Sequence, residues 1–331
     1  MLQRPAHVYV LAMLVLVAAT TCARAARAAE HAAARPALPP RPLVFVTINL
    51  LHGGVLSGLF GDEADVDERL DLIAAELERT GADVVGVQEA STGRARGNTA
   101  RRLAERLGFD YVYAPALFRF TGWWPIDDLI AAVMNFTEGP AVLSRFPIVG
   151  SEVRRLPRCS GVLDVRVAVR ADVATPWGEM PVYSTHLSWG ACESGELARF
   201  VAAKRNALPA VVMGDFNATA DMPQMARLVL EARLEDAFHA ANPTERGATV
   251  WQNPAAERRT VSRRVDFVLV GAGTERPGRV LESRVILDEP HRTRDGRVVW
   301  PSDHYGVLAT IDVAAPFDSR ATARQAGSAL P

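Results

Sequence analysis

Val211-Val212-Met213-Gly214-Asp215-Phe216-Asn217 is an apolar run that stops at a carboxylate and a carboxamide two positions apart. Alternate residues of a strand point to the same side, so Asp215 and Asn217 present their polar groups together where the strand ends. Three other segments share the design. Val84-Val85-Gly86-Val87-Gln88-Glu89 ends on an acid, Pro181-Val182-Tyr183-Ser184-Thr185-His186 on an imidazole, and Phe45-Val46-Thr47-Ile48-Asn49 on an amide. A single tip of this kind is usually a strand meeting a turn, because Asp and Asn favour turns. Several together mark a site, since open α/β sheets bind ligands just beyond strand ends.

Around these tips, strand and helix patterns alternate. Asp65 or Asp67 caps an acidic helix in which Leu70, Ile73, Ala74 and Leu77 recur at helical spacing, and Thr80-Gly81 ends it. With its flanking strands this is a βαβ-like start that brings Asn49 and Glu89 together. A second helix, about Asn98 to Leu107, carries Arg101, Arg102 and Arg106 and stops at Gly108. Strand patterns follow over Ala141–Ile148, Leu163–Val173, Met180–His186, Arg264–Val270 and Gly306–Val313, with helices around Glu196–Asn206 and from near Met222. The mixture suggests two packed sheets with helices outside.

The 331 residues are 49% hydrophobic and 23% charged, with a net charge of −1, which suits a globular protein with a substantial core. No internal repeat or mid-chain linker interrupts it, so one domain is expected over 42–315. Near-neutral charge argues against indiscriminate coating of nucleic acid. Residues 1–29 read as an export signal: Arg4 and His7 precede an apolar run from Val8 to Ala19, and Ala23 to Ala28 offers cleavage sites. That run is short for a membrane span. Residues 30–41 and 316–331 read as a disordered tether and tail. Cys22 invites lipidation, although Ala19-Thr20-Thr21 precedes it poorly. Cys159 and Cys192 either pair in an oxidising compartment or stay as two small hydrophobes. Ala114 to Phe136 is the most aromatic stretch, readable as a helix tucked into the core or as an exposed flap facing lipid or substrate.

Collecting the tips gives Asn49, Glu89, His186, Asp215, Asn217, Asp266, Asp303 and His304. Mostly oxygen donors without cysteine, they suit a hard divalent cation, Mg²⁺ or Mn²⁺, better than a structural zinc. In order and wording, Thr47-Ile48-Asn49-Leu50, Gln88-Glu89, Leu143-Ser144-Arg145-Phe146-Pro147, Ser184-Thr185-His186-Leu187, Gly214-Asp215-Phe216-Asn217, Arg264-Val265-Asp266-Phe267 and Ser302-Asp303-His304 resemble the endonuclease/exonuclease/phosphatase, or DNase I-like, superfamily. The resemblance spans nearly all of the chain after residue 42. It implies a four-layer α/β sandwich, two mixed β-sheets packed face to face with helices outside. It also implies hydrolysis of a phosphoester by direct attack of water.

Carried over residue by residue, the resemblance implies that Glu89 is the main metal ligand, with Asn49 and Asp303 close by. Asp215 and Asn217 would orient the attacking water and the phosphate. His304 would be the general base, oriented by Asp266, and His186 would donate to the phosphoryl group. Nuclease members often carry a tyrosine shortly before the strand that matches Ala141 to Ser144, where this chain has Phe136-Thr137-Glu138-Gly139. Arg166 is an alternative phosphate contact, and His52, beside Gly53-Gly54, is a candidate near the metal.

The substrate is a lipid head group, a small phosphodiester or a nucleic acid. A nuclease needs a basic surface along the backbone, for which Arg94-Arg96-Arg101-Arg102, Arg154-Arg155-Arg158 and Arg258-Arg259-Arg263-Arg264 are candidates; their plainer reading is solvated faces. A lipid phosphodiesterase needs an apolar docking element, which residues 117–136 would supply. The resemblance is nearest to exported members that open Asn-Leu-Leu-His-Gly-Gly, as at Asn49 to Gly54. The expectation is therefore an exported, monomeric phosphodiesterase acting on a lipid-linked or small substrate, with peripheral membrane contact through 117–136. A secreted endonuclease and a non-catalytic binding protein on the same fold are the alternatives.

Overall fold

The computed structural model describes residues 41–52, 65–94, 96–116, 124–159, 165–254 and 256–316. The signal segment, Cys22, nearly all of the tether, residues 317–331 and the aromatic residues 117–123 lie outside them.

Strand β1 (Leu43–Asn49) leads through helix α1 (Val66–Arg79) to β2 (Val84–Gly93), which pairs with β1 in parallel. Val66, Leu70, Ile73, Ala74 and Leu77 form the buried face of α1, as their spacing predicts. Asp65 stands at its N-cap position with φ 62° and makes no capping bond; its carboxylate pairs with Arg297 at 2.9 Å instead. After the short β3 (Gly97–Asn98), helix α2 (Thr99–Leu107) starts where the Asn98 side chain accepts the Arg101 N–H at 2.8 Å. It ends at left-handed Gly108, φ 62°. Then come β4 (Asp110–Tyr113), α3 (Trp124–Met134) and β5 (Thr137–Ser144).

The sequence reading ran one strand through Ala141–Ile148. The chain instead turns at Arg145-Phe146-Pro147, with Phe146 N–H donating to Ser144 Oγ at 3.0 Å, because Pro147 cannot continue a ladder. It resumes as β6 (Ile148–Arg155), an edge strand that the sequence reading passed over. Strands β7 (Val167–Thr175) and β8 (Gly178–His186), helix α4 (Ser194–Ala203), β9 (Ala210–Asp215), α5 (Pro223–Ala232), β10 (Leu234–Asp236), α6 (Ala237–Ala241) and β11 (Asp266–Gly271) follow. Last are β12 (Arg279–Ile286), the hairpin β13 (His291–Arg292) and β14 (Val298–Val299), and β15 (Gly306–Asp312).

One sheet runs β12-β15-β1-β2-β5-β4, with β3 added on β2, and the other runs β10-β11-β9-β8-β7-β6. Both are mixed: β1 with β2 and β8 with β9 are parallel, and the other pairs are antiparallel. Side-chain parity sorts the layers. Val46, Ile48, Val85, Val87 and Leu143 pack with Ile73, Leu77 and Leu103 of α1 and α2 on one outer face. Tyr183, Val212, Phe267 and Leu269 pack with Leu197, Phe200 and Leu228 of α4 and α5 on the other. Truncating one of these large buried side chains to Ala costs about 2–5 kcal/mol.

The opposite parity faces the partner sheet. Gly86 on β2 lies so close to β9 that an added Cβ would stand 2.7 Å from Met213 Cβ. Gln88 Nε2 donates to Ser184 Oγ at 3.1 Å, and Ser184 Oγ donates to the Val87 carbonyl at 3.0 Å, so hydrogen bonds also cross the gap. This is the four-layer sandwich the sequence implies. Cys159 and Cys192 are joined in a disulfide, with Cα atoms 6.1 Å apart.

Candidate active site

Parity also explains where the polar tips meet. Asn49, His186, Asp215 and Asp266 end or begin their strands on inward-facing positions, and all four are buried. His186 is the parallel neighbour of Asp215, and Asp266 the antiparallel one, so the three stand in one row across β8, β9 and β11. Glu89 does not follow this rule. Gln88 faces the gap, so plain alternation would turn Glu89 away. A register shift between Val87 and Ala90, with Glu89 at φ 52°, swings it back.

Asn49 then joins the two sheets. Its Nδ2 donates to Glu89 Oε1 at 3.1 Å and to Asp215 Oδ2 at 3.2 Å, while Leu51 N–H donates to its Oδ1 at 3.0 Å. Asn217, at φ 49°, donates its N–H to Asp215 Oδ1 at 2.9 Å. Its side-chain Nδ2 lies 3.0 Å from His186 Nε2 and donates to the Leu187 carbonyl at 2.9 Å. His186 Nε2 is also 3.5 Å from Asp215 Oδ2. Burial, helped by the nearby positive charge of Arg166, holds the His186 pKa well below the ordinary histidine value. A neutral ring accepting from Asn217 follows, and Arg166 is thereby placed within electrostatic reach of the site.

His304 arrives just before β15 and sets Nδ1 at 2.9 Å from Asp266 Oδ2 and Nε2 at 3.7 Å from Asp215 Oδ2. Its segment is strapped down: Gln252 N–H donates to the Asp303 carbonyl at 2.7 Å, and Tyr305 N–H to the Thr249 carbonyl at 2.8 Å. Burial opposes charge on the imidazole, but the Asp266 and Asp215 carboxylates overcome it and bring His304 up to about 10. Burial, with the Asp266 charge adding to it, pushes Asp215 up to about 7 despite His304. Both groups are thus held toward their protonated forms, and Asp266 keeps the ring aimed.

On the other side of Asn49, His52 N–H donates to Glu89 Oε2 at 3.0 Å, and His52 Nε2 lies 3.3 Å from both Glu89 Oε2 and Glu138 Oε2. Burial resists ionising Glu89, but His52, its N–H and the Asn49 amide bring the carboxyl down to about 2. Burial raises the Asp303 pKa against the charge of His304, and the Glu89 charge adds to the rise. Glu89, Asp303 and Asn49 fit a hard divalent cation by donor chemistry. Asn49 turns its nitrogen to the carboxylates here, and a flipped amide would offer oxygen. When bound, such an ion neutralises charge on a phosphate oxygen and its leaving group. Asn49 links Glu89 to Asp215, which in turn accepts the Asn217 N–H and lies 3.7 Å from His304 Nε2.

The sequence profile of the Endonuclease/Exonuclease/phosphatase family matches residues 46–304. The chain belongs to this family. No curated protein matches the sequence. Among solved structures, an endonuclease/exonuclease/phosphatase family protein from Leptotrichia buccalis C-1013-b is 20% identical, with 81% of this chain and 99% of that chain covered and a TM-score of 0.59. The mannosyl-6-phosphatase of Bacteroides thetaiotaomicron VPI-5482 is 18% identical over 81% and 99%, TM-score 0.61. The human Nocturnin catalytic domain with bound sulfate anion is 20% identical over 83% and 95%, TM-score 0.56. At these identities the likeness is one of fold.

In this member of the endonuclease/exonuclease/phosphatase family Asn49, Glu89, His186, Asp215, Asn217, Asp266 and His304 stand within hydrogen-bond or ion-pair contact of one another, and further residues adjoin them. Glu138 stands where the tyrosine of nuclease members was expected. Arg69 donates to the Leu50 and Leu51 carbonyls at 2.7 and 3.1 Å, and Arg96 Nη1 to the His52 carbonyl at 2.9 Å, so two arginines hold the turn that carries His52. The only signal in the sequence was an acid beside Gly139 and arginines at the start of helices.

Proposed function

We propose that the chain is an exported, divalent-metal-dependent phosphoesterase that hydrolyses a lipid-linked or small phosphodiester by direct attack of water. What supports the reading is a single convergence: Glu89, Asn49, Asp215 and the His304–Asp266 pair meet in the gap between the sheets, joined through one Asn49 amide. In this reading Glu89, Asn49 and Asp303 hold the cation. Asp215 and Asn217 orient water and phosphate, His304 takes the water's proton once the charge of the bound cation disfavours its imidazolium, and His186 and Arg166 face the phosphoryl group.

Two observations favour lipid or small substrates over nucleic acid. Helix α3 exposes Ile126, Leu129 and Val133, three and four residues apart on one face, with Leu129 62% and Val133 63% accessible. It carries no Lys or Arg and leads directly into Phe136 and Glu138 beside His52. Five members of the arginine clusters, by contrast, are already paired with acids, as is Arg106 beside them. Arg101 pairs with Glu105, Arg102 and Arg106 with Asp67, Arg154 with Glu152 and Glu196, Arg259 with Asp288 and Glu289, and Arg264 with Asp236. Paired arginines release few counterions from a nucleic-acid backbone. Export rests on the signal-like residues 1–29 and agrees with the Cys159–Cys192 disulfide, which suits an oxidising compartment.

The test is hydrolysis by the purified mature chain, with Mg²⁺ or Mn²⁺ and with chelator. The panel is phosphatidylinositol and sphingomyelin vesicles, bis-p-nitrophenyl phosphate, mannose 6-phosphate, RNA and plasmid DNA. Metal-dependent turnover of lipid or small diester without plasmid nicking is expected. Nicking would turn the reading to an endonuclease, and silence on every substrate would leave the binding-protein alternative standing.

A further inference from the structure

Glu89 turns its two oxygens to different company. Oε1 accepts from Asn49 on the Asp215 side, at 3.1 Å; Oε2 faces His52 and, through it, Glu138. The Oε1 side belongs to the all-oxygen arrangement described above. The Oε2 side contains a nitrogen. We propose that His52 Nε2, Glu89 Oε2 and Glu138 Oε2 form a cation site of mixed nitrogen and oxygen donors that takes Mn²⁺ or Zn²⁺ in preference to Mg²⁺. The proposal rests on the metal-dependent reading of the same cleft and specifies which ion that cleft selects.

The spacing fits. The three donor atoms lie within 4.8 Å of one another, and Nε2 is 3.3 Å from each carboxylate oxygen. Donors of a tetrahedral zinc at about 2.0–2.1 Å stand roughly 3.3 Å apart. Around an octahedral ion at about 2.1 Å they stand roughly 3.0 Å apart. Both nitrogen–oxygen spacings therefore already suit an ion of this size, and the two carboxylate oxygens lie within 4.8 Å of each other.

Charge and chemistry point the same way. Two carboxylates face a single imidazole, so the trio keeps a net negative charge even with the ring protonated, and a divalent ion balances it. Magnesium prefers oxygen and keeps its waters, whereas imidazole suits the later divalent metals, for which affinity rises from manganese to zinc. The donors are also held from outside the cluster. Arg96 anchors the His52 carbonyl at 2.9 Å, the Phe136 ring meets the imidazole edge-on at 5.1 Å, and Glu138 is fixed in β5 opposite Ser91 of β2. A ligand histidine supported in this way loses little freedom on binding. The ordinary alternative is an ion pair in which a protonated His52 bridges Glu89 and Glu138 and meets no metal.

Pulsed EPR of the Mn²⁺-loaded mature protein separates the two, because a directly bound imidazole couples ¹⁴N to the manganese and oxygen ligands do not. The wild type should show ¹⁴N coupling that His52→Gln removes and His186→Gln retains. Calorimetric titration should show Mn²⁺ bound at least about tenfold more tightly than Mg²⁺, with the ratio falling toward one in His52→Gln. Glu138→Gln should weaken Mn²⁺ by about 10- to 100-fold with an unchanged circular dichroism spectrum. Should His52→Gln fail to fold, the Mn²⁺:Mg²⁺ ratio of Glu138→Gln decides instead. Mn²⁺ bound without ¹⁴N coupling, or coupling that survives His52→Gln, overturns the site while leaving the metal-dependent reading intact. Absence of any Mn²⁺ or Mg²⁺ binding overturns both.

Discussion

The two sheets contribute unlike halves to the cleft. The half built on β8, β9 and β11, which in the proposed reaction handles protons and phosphate, is laid out on an undisturbed ladder: His186, Asp215 and Asp266 are plain cross-strand neighbours. The half built on β1 and β2 carries the proposed cation ligands, and there the strand pairing itself is disturbed. A register shift re-aims Glu89; left-handed φ occurs at Glu89 and Leu51 here, 52° and 53°, and also at Asn217 just past β9, 49°, but only β2 among these strands shifts its pairing. Each proton carrier needs one well-placed partner, which neighbouring strands supply automatically. A cation needs several donors converging on a point, and strand alternation does not provide that. Strain of this kind, of order 1–3 kcal/mol per residue, persists where the surroundings over-determine it, here through Arg69, Arg96 and the Asn49 amide.

If the halves are as distinct as this, substitutions in them should fail differently. The largest loss belongs to the proton half: Asp215→Ala and His304→Ala should each lower kcat/KM by about 10³-fold or more while leaving cation binding measurable by calorimetry. Activity within tenfold of wild type in either variant would erase the division. Asp266→Asn comes next, at roughly 10²-fold. It should also move the acidic limb of the pH–rate profile to lower pH, because losing the carboxylate that holds the His304 proton lowers the pKa of that imidazole.

Glu89→Gln should act on the cation half, raising the metal concentration needed for half-maximal rate by about 10- to 100-fold. It should also change acid stability. Glu89 is held down at about 2 against an ordinary 4.5, so its contribution is present above pH 4.5 and is lost as pH falls toward 2. Melting temperatures of wild type and Glu89→Gln in chelator should therefore converge across that window. The smallest effect should come from outside both halves. Leu129→Glu on α3 should slow turnover of vesicles several-fold, with hydrolysis of bis-p-nitrophenyl phosphate unchanged and stability within about 0.5 kcal/mol; equal slowing on both substrates would argue against a docking face.

The same contrast governs what was legible in the sequence. Asn49, His186, Asp215 and Asp266 could be read because alternation along a strand fixes their direction. Glu89 could be read as the acid that ends its strand, but the bulge that aims it has no local signature, since Gln88-Glu89-Ala90 reads as continuous strand. His52 was a residue on a turn with no derivable direction, and Glu138 looked only like a departure from the tyrosine of nuclease members. The arginine clusters read most plainly as solvated faces, but their partners could not be named. Arg264 meets Asp236 and Arg259 meets Asp288, partners some thirty residues away that only the fold reveals. Strand β6 was missed because its burial alternates between partial and open rather than buried and open, as an edge strand's does.

Gly86 against Met213 has one more consequence. Glu89 and Asp215 belong to different sheets, and Gly86 and Met213 lie three and two residues before them on adjoining strands, so this contact works as a shim that sets how far the carboxylates stand apart. A methyl at Gly86 would thicken it, and Met213→Val or Met213→Ala would thin it, without touching a polar group. Paired changes at the two positions would make a ruler of the protein, reading how steeply rate falls as the reach between cation and water changes by fractions of an ångström.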